Sequence, residues 1–126
     1  MIQSYRDLKV WQKALDLADR AYLLSEGLPS HQRYILCSQI ERSAASVPAN
    51  IAEGRMRHSQ KDFLYHLSVA KGSLAELETL LFLAQKRGYI TEQDLQSLLL
   101  DSAEVMKMLH GLKSSLSEEP LKLAKT

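Results

Sequence analysis

The sequence predicts an all-α protein, an antiparallel up-down-up-down bundle of four helices. Apolar residues recur every three or four positions along four segments, and short stretches rich in turn and capping residues separate these segments. No alternating apolar pattern long enough for a strand occurs between them. The chain has 126 residues, of which 45% are hydrophobic and 25% charged, which suits one globular domain. We expect residues 1–116 to form this domain and residues 117–126 to be a frayed C-terminal tail.

A few turn residues predict where the helices begin and end. Glycine is the most common residue just past a helix C-terminus, so we expect the first three helices to end near Gly27, Gly54 and Gly88. Serine and threonine are favoured at the N-cap. The expected N-caps of the later helices are Ser30, Ser59 and Thr91, and an aspartate follows the last two after three residues.

The first helix carries two apolar stripes, which lie about 100° apart around its axis. The stripe expected to face the core contains Leu8, Trp11, Leu15, Ala18 and Tyr22. The second stripe contains Val10, Ala14, Leu17, Ala21 and Leu24, and the third helix has a comparable one. A second stripe indicates either a broad core face or a contact with another subunit. We favour self-association, with an expected interface of Val10, Leu17, Leu24, Leu80 and Leu83.

The segment SVPANIAEG, residues 46 to 54, places polar residues and a proline inside the second helix. Because proline removes an amide donor and crowds the preceding turn, we expect the helix to be kinked at Pro48. Buried polar side chains are usually hydrogen-bonded to one another, so we favour a structural polar network. Its expected members are Ser46, Asn50, Glu53, Ser73 and Glu76. The alternative is a small-ligand site that uses Asn50, Glu53 and Glu76.

Catalytic and metal-binding patterns are missing from the sequence. None of the four histidines follows a glutamate at the Glu-x-x-His spacing of di-iron bundles, and no glycine-rich phosphate loop follows a strand. Cys37 is the single cysteine and lies in an apolar stripe, which is typical of a small core residue in a reducing compartment. We therefore predict no catalytic residue, no metal and no cofactor, and we expect a cytoplasmic protein without a membrane segment.

Basic residues cluster at one predicted end of the bundle. The formal net charge is only +1, so a surface for a polyanion must come from local clustering. The antiparallel topology gathers Arg6, Lys9, Arg55, Arg57 and Lys61 at this end, which we call the basic end. It is a candidate for contact with RNA or DNA through phosphates. Ordinary solvated surface charge is the alternative interpretation.

Four segments of the sequence resemble a known family. They are YRDLKVWQKA (5 to 14), QIERSAASVPANIAEG (39 to 54), FLYHLSVAKGSLAELET (63 to 79) and RGYI (87 to 90). Together they resemble the 23S rRNA intervening-sequence proteins. That resemblance implies a four-helix bundle that assembles into rings of five subunits, without an established biochemical activity. The family motif maps here onto Ser46, Pro48, Asn50, Glu53, Gly54, Gly72, Ser73, Glu76 and Glu78.

The resemblance and the charge distribution together lead to a functional hypothesis. The family is similar in fold to the accessory variability determinant of diversity-generating retroelements, a pentameric nucleic-acid-binding partner of a reverse transcriptase. We therefore expect a non-enzymatic homopentameric scaffold or adaptor that binds nucleic acid, or a nucleic-acid-associated protein, through the basic end. The alternatives are a purely structural assembly protein with an unknown protein partner, and the small-ligand-binding bundle described above.

Overall fold

Four long helices make up most of the chain. A computed structural model describes the backbone of residues 4–125 and the side chains of residues 4–116. The helices are α1 (Lys9–Glu26), α2 (Ser38–Met56), α3 (Gln60–Lys86) and α4 (Glu92–Lys125). A 3₁₀ turn (Tyr5–Asp7) precedes α1, and a 3₁₀ turn (Ser30–Gln32) with a π-helical turn (Arg33–Cys37) precedes α2. No strand occurs within residues 4–125, so the predicted all-α four-helix bundle is confirmed.

Side-chain contacts show how neighbouring helices are oriented. As residue numbers rise along one helix, the numbers of their partners on the next helix fall. The pairs are Lys13–Glu104 and Arg20–Asp101 between α1 and α4, Ser46–Ser73 and Asn50–His66 between α2 and α3, and Ser68–Lys113 and Glu78–Ser102 between α3 and α4. These three pairs of neighbours are therefore antiparallel, and for α2–α3 and α3–α4 the short connections require this. Within residues 4–125, no helix is both long and apolar enough to cross a membrane.

Most of the predicted helix ends are present. The hydroxyl of Ser59 accepts the amide N–H of Asp62 at 3.0 Å, and that of Thr91 accepts the amide of Asp94 at 3.0 Å. Gly88, just beyond α3, has a φ of 77°, which favours glycine because other residues are strained there. These boundaries are confirmed.

Two predicted boundaries of the second helix are wrong. Helix α2 continues past Gly54 to Met56, so Gly54 lies inside it. Ser30 begins the 3₁₀ turn, and no side-chain hydrogen bond caps that turn. The segment from Ser30 to Cys37 forms first the narrower 3₁₀ turn and then the wider π-helical turn. Regular α-helix begins only at Ser38. The kink predicted at Pro48 stays a prediction. Helix α2 runs from Ser38 to Met56 and has Pro48 inside it.

The apolar stripes of α2, α3 and α4 form the core. Ile40, Ile51, Leu74, Leu77 and Leu109 are each 0% exposed. A core of this kind supplies most of the stability, since burying one large aliphatic side chain contributes about 1.5 to 3 kcal/mol. The stripes predicted for these three helices therefore face inward.

Helix α1 corrects the prediction, because most of its buried side chains belong to the second stripe. Of the first stripe, only Ala18 is buried, while Leu8 and Trp11 are partly buried against the core. Val10 and Leu17 are 5% and 2% exposed, whereas Leu15 and Tyr22 are 46% and 40% exposed. The buried stripe is the one that contains Ala14 and Ala21, both 0% exposed, and small side chains let α1 approach its neighbours closely.

The predicted subunit interface changes accordingly. Val10 and Leu17 belong to the core of the chain itself, so their assignment to a subunit interface was wrong. Leu80 is only 8% exposed but also lines a surface cavity with Leu83. Leu24 is half-buried, and Leu83 remains 46% exposed. Helix α4 continues across the boundary predicted between residues 116 and 117, as far as Lys125, and the frayed tail predicted for residues 117–126 stays a prediction.

Candidate functional site and subunit interface

A polar network joins α2 to α3 in the middle of the bundle. The hydroxyls of Ser46 and Ser73 lie 2.8 Å apart. The amide nitrogen of Asn50 donates to the carbonyl oxygen of Ser46 at 2.8 Å and to its hydroxyl at 3.0 Å. His66 Nδ1 lies 3.0 Å from the amide oxygen of Asn50. Because that oxygen only accepts, His66 Nδ1 carries the proton and donates. Three of the predicted members, Ser46, Asn50 and Ser73, thus lie together.

The network continues toward the end of α2. Nε2 of His66 lies 3.6 Å from a carboxylate oxygen of Glu53, and Arg57 donates to the same oxygen at 2.6 Å. The hydrogen bond from Arg57 holds the pKa of Glu53 below its usual range, and the nearby His66 lowers this pKa further. His66 is the member that the sequence reasoning missed. It lies seven residues before Ser73, and this heptad spacing places both on one face of α3.

Glu76 stands apart from the other predicted members. Its side chain is exposed and makes no hydrogen bond or ion pair among the described residues. Glu78 instead accepts a hydrogen bond of 2.5 Å from Ser102 on α4, and Ser102 is 0% exposed. The second glutamate of the motif therefore holds α4 against α3.

Gly54 permits the close approach of α2 to α3 beside this network. A Cβ atom at Gly54 would lie 2.7 Å from the Cβ of His66 and 3.0 Å from a ring carbon of Phe63. Contacts this short require a shift of the neighbouring atoms. The absence of a side chain at residue 54 thus allows His66 to reach Asn50.

The polar side chains of the network are hydrogen-bonded to one another. Among the described side chains, no serine or cysteine is hydrogen-bonded to a histidine, and such a bond activates a nucleophile. No group of three or more potential metal ligands occurs among the described residues. What the network provides is a set of paired polar groups that fixes the register of α2 on α3.

Replacing Asn50 with alanine should lower the free energy of unfolding by about 1 to 3 kcal/mol, because Ser46 and His66 would each lose a hydrogen-bond partner in a partly buried site. Chemical denaturation followed by circular dichroism measures this change. The matched control is Glu76→Ala, which removes an exposed side chain without a partner and should change stability by less than about 0.5 kcal/mol. Equal losses of stability from the two substitutions would contradict a stabilising role of the network.

The low pKa of Glu53 predicts a dependence of stability on pH. A carboxyl whose pKa is lower in the folded than in the unfolded chain stabilises the fold above the unfolded pKa, about 4.3, and this contribution is lost as the pH falls toward the folded value. We expect the melting temperature of Glu53→Gln to fall less steeply between neutral and acidic pH than that of the wild type. Glu76→Gln serves as the control and should follow the wild-type profile.

An apolar groove runs between α1 and α2 on the outside of the bundle. Trp11, Leu15 and Tyr22 form its α1 wall. Its other lining residues are Tyr5, Ala18, Asp19, Ala45, Pro48, Ala49 and Ala52, and its volume is about 490 Å³. We call it the α1–α2 groove. Its α2 wall consists of small side chains, so bulky groups from another molecule can approach the helix closely.

A second apolar patch lies where α2 begins and α3 ends. Ile35 is 57% and Leu83 is 46% exposed, and both line a cavity of about 240 Å³. We call this surface the Ile35–Leu83 patch. Leu24 lines a different cavity with Leu23 and Leu98. The predicted interface residues are therefore distributed over the core and two separate surfaces.

The five basic-end residues differ in their surroundings. Arg57 forms an ion pair with Glu53, and the guanidinium of Arg6 lies 5.6 Å from the ring centre of Tyr5. Lys9, Arg55 and Lys61 have no carboxylate within 4.0 Å among the described residues. Tyr5 and Ala52 line the same groove, which places the start of the chain beside the end of α2.

The fold and the network define a small helical-bundle protein in which partly buried polar groups join α2 to α3. The family model described as 23S rRNA-intervening sequence protein matches residues 6–111, so the chain belongs to that family. It is similar to a solved protein of unknown function from the S23 ribosomal protein family of Bacteroides thetaiotaomicron. The two are 33% identical with a TM-score of 0.77, over 82% of this chain and 97% of that one. No functionally curated protein matches the chain.

Proposed function

We propose that the protein is a non-enzymatic, cytoplasmic scaffold or adaptor that acts as a homo-oligomer, most simply a ring of five subunits. The number of subunits comes from the family resemblance. The observation that carries self-association is the α1–α2 groove, where Leu15 and Tyr22 are 46% and 40% exposed. Contiguous exposed apolar surface of this kind marks interaction sites.

The second apolar surface supports a ring in particular. A ring is built from heterologous contacts, in which each subunit offers two different surfaces that bind each other. The α2 wall of the α1–α2 groove consists of three alanines and Pro48, and Ile35 of the Ile35–Leu83 patch is 57% exposed. We propose that the Ile35–Leu83 patch of one subunit lies in the α1–α2 groove of the next.

Mixing two variants tests this arrangement. Light scattering of the wild type at micromolar concentration should give about five times the mass of the chain. Tyr22→Glu and Ile35→Glu should each be monomeric, because a charge in an apolar interface is strongly unfavourable. Each variant keeps one intact surface, so an equimolar mixture should form heterodimers and nothing larger.

The control for that experiment is Leu100→Glu. Leu100 is 72% exposed and does not line either apolar surface, so its variant should keep the wild-type mass. A monomeric wild type would contradict the proposal. Homodimers of either single variant would contradict the heterologous contact.

Nucleic acid is the second candidate partner. The observation that favours it is that Lys9, Arg55 and Lys61 lack carboxylate partners among the described residues. A ring would bring five such clusters together. Contact would be made through phosphates, so affinity for RNA or DNA should fall steeply with salt.

Arg55→Gln/Lys61→Gln should weaken that binding and flatten its salt dependence, whereas Lys86→Gln, which lies outside both apolar surfaces, should change neither. No binding at low salt would leave a purely structural assembly protein with a protein partner. The small-ligand alternative has less support, because Asn50, Glu53 and Glu76 do not line the α1–α2 groove or the cavity at the Ile35–Leu83 patch.

A further inference from the structure

Helix α4 separates its charged side chains onto two sides. Its carboxylates Asp101 and Glu104 face α1, where they form ion pairs with Arg20 and Lys13. On the side toward α3, Lys113 donates to Ser68 and His110 contacts Lys71. The charges between α1 and α4 are therefore balanced, whereas those between α4 and α3 are mainly basic.

The lysines on this second side lack acidic partners. Neither Lys71, Lys107 nor Lys113 has a carboxylate within 4.0 Å among the described residues. Lys71 instead lies 3.5 Å from Nδ1 of His110. Positive groups held near one another without a counter-charge favour the binding of an anion.

A cavity of about 500 Å³ opens among these residues, and we call it the α3–α4 cleft. Its lining residues are Lys71, Glu78, Ala103, Met106, Lys107 and His110. Glu78 is the one carboxylate in this lining, and it already accepts the hydroxyl of Ser102 at 2.5 Å. The volume lies within the range of small-molecule sites, which is about 300 to 1,000 Å³.

Apart from the second carboxylate oxygen of Glu78, the hydrogen-bonding groups left open in the cleft are donors. An ammonium group only donates, so Nδ1 of His110 accepts from Lys71 and the ring proton lies on Nε2. That Nε2–H has no partner among the described residues. Lys107 also makes no hydrogen bond there. From this arrangement we infer that the α3–α4 cleft binds a phosphate group, with Lys71, Lys107 and His110 as its donors.

The phosphate can belong to a small polyphosphate ligand or to a nucleic-acid backbone. This inference does not depend on the proposed ring, since all of the cleft residues lie in one chain. Two probes separate the sources: inorganic tripolyphosphate, followed by calorimetry, and a fluorescent single-stranded oligothymidine, followed by anisotropy. Both are measured at low salt, where phosphate contacts are strongest.

Lys71→Gln/Lys107→Gln should weaken binding about tenfold or more, because two charge-assisted contacts are lost. The control Lys86→Gln/Arg87→Gln removes the same charge at the end of α3 and should change affinity by less than about twofold. If Lys71→Gln/Lys107→Gln loses affinity only for tripolyphosphate, the ligand is a small polyphosphate. If it loses affinity only for oligothymidine, the ligand is a nucleic-acid backbone. Equal losses from both variants, or no binding of either probe, would overturn the inference.

Glu78→Gln gives a test in the opposite direction. Glutamine keeps an acceptor for Ser102 but removes the negative charge from the cleft, so phosphate binding should become several-fold tighter. A variant that merely disturbed the fold would weaken binding instead, and weaker or unchanged binding would contradict the proposed site. Light scattering of the same samples keeps this result separate from the oligomer proposal, since these substitutions should leave the mass unchanged.

Discussion

Replacing Gly54 with valine is expected to lower the free energy of unfolding by about 3 kcal/mol or more. The new Cβ alone would lie 2.7 Å from the Cβ of His66, an atom that cannot move without the backbone of α3. The shift would also separate His66 from Asn50 and so break the polar network. Denaturant unfolding followed by circular dichroism measures the loss.

Gly72→Val is the matched control. Gly72 lies inside α3, and no atom approaches within 4 Å of the position of its Cβ. Valine is a slightly better helix former than glycine, so this variant should be as stable as the wild type or more stable by a few tenths of a kcal/mol. Similar destabilisation by both substitutions would mean that the contact between Gly54 and His66 has no special importance.

The sequence predicts the helix ends and three of the four core faces because those features are local. The caps at Ser59 and Thr91 are formed by a side chain and an amide three residues later. The core stripes of α2, α3 and α4 follow from the helical period alone. Neither inference requires knowledge of which helix lies beside which.

The stripes of α1 could not be ranked in the same way. Both have the same spacing, and the stripe with the larger side chains, Trp11, Leu15 and Tyr22, would bury more apolar area if it faced inward. The structure places Ala14 and Ala21 inside instead, because the distance between neighbouring helices decides which side chains fit. That distance is a property of the assembled bundle and not of α1.

The polar network could likewise be predicted from the sequence only in part. Ser46 and Asn50 are one helical turn apart, so the sequence alone places them together. Glu76 and Glu78 differ by about 200° around α3, and the choice between them depends on where α4 lies. His66 enters the network because Gly54 lets α3 approach, a contact between distant parts of the sequence.

The family motif therefore has a physical explanation that requires no catalytic role. Ser46, Asn50 and Ser73 supply hydrogen bonds between α2 and α3, Gly54 supplies the space for them, and Glu78 connects α3 to α4. These hydrogen bonds hold α2, α3 and α4 together.

Two neighbouring leucines of α1 should respond in opposite ways to the same substitution. Leu17 is 2% exposed and lies in the core, so Leu17→Glu buries a carboxylate without a partner and should cost about 4 kcal/mol or more. We expect this variant to lose most of its helical circular dichroism. Leu15 is 46% exposed in the α1–α2 groove, so Leu15→Glu should stay folded as a monomer.

Circular dichroism and light scattering on the same samples separate the two outcomes. The expectation drawn from sequence, with Leu17 in the subunit interface, requires Leu17→Glu to be a folded monomer and Leu15→Glu to unfold. The structure requires the reverse for both variants, because a glutamate at residue 15 reaches water in the free chain while one at residue 17 does not. A folded, monomeric Leu17→Glu would therefore refute the assignment of the two stripes, and a fully assembled Leu15→Glu would refute the groove as the subunit contact.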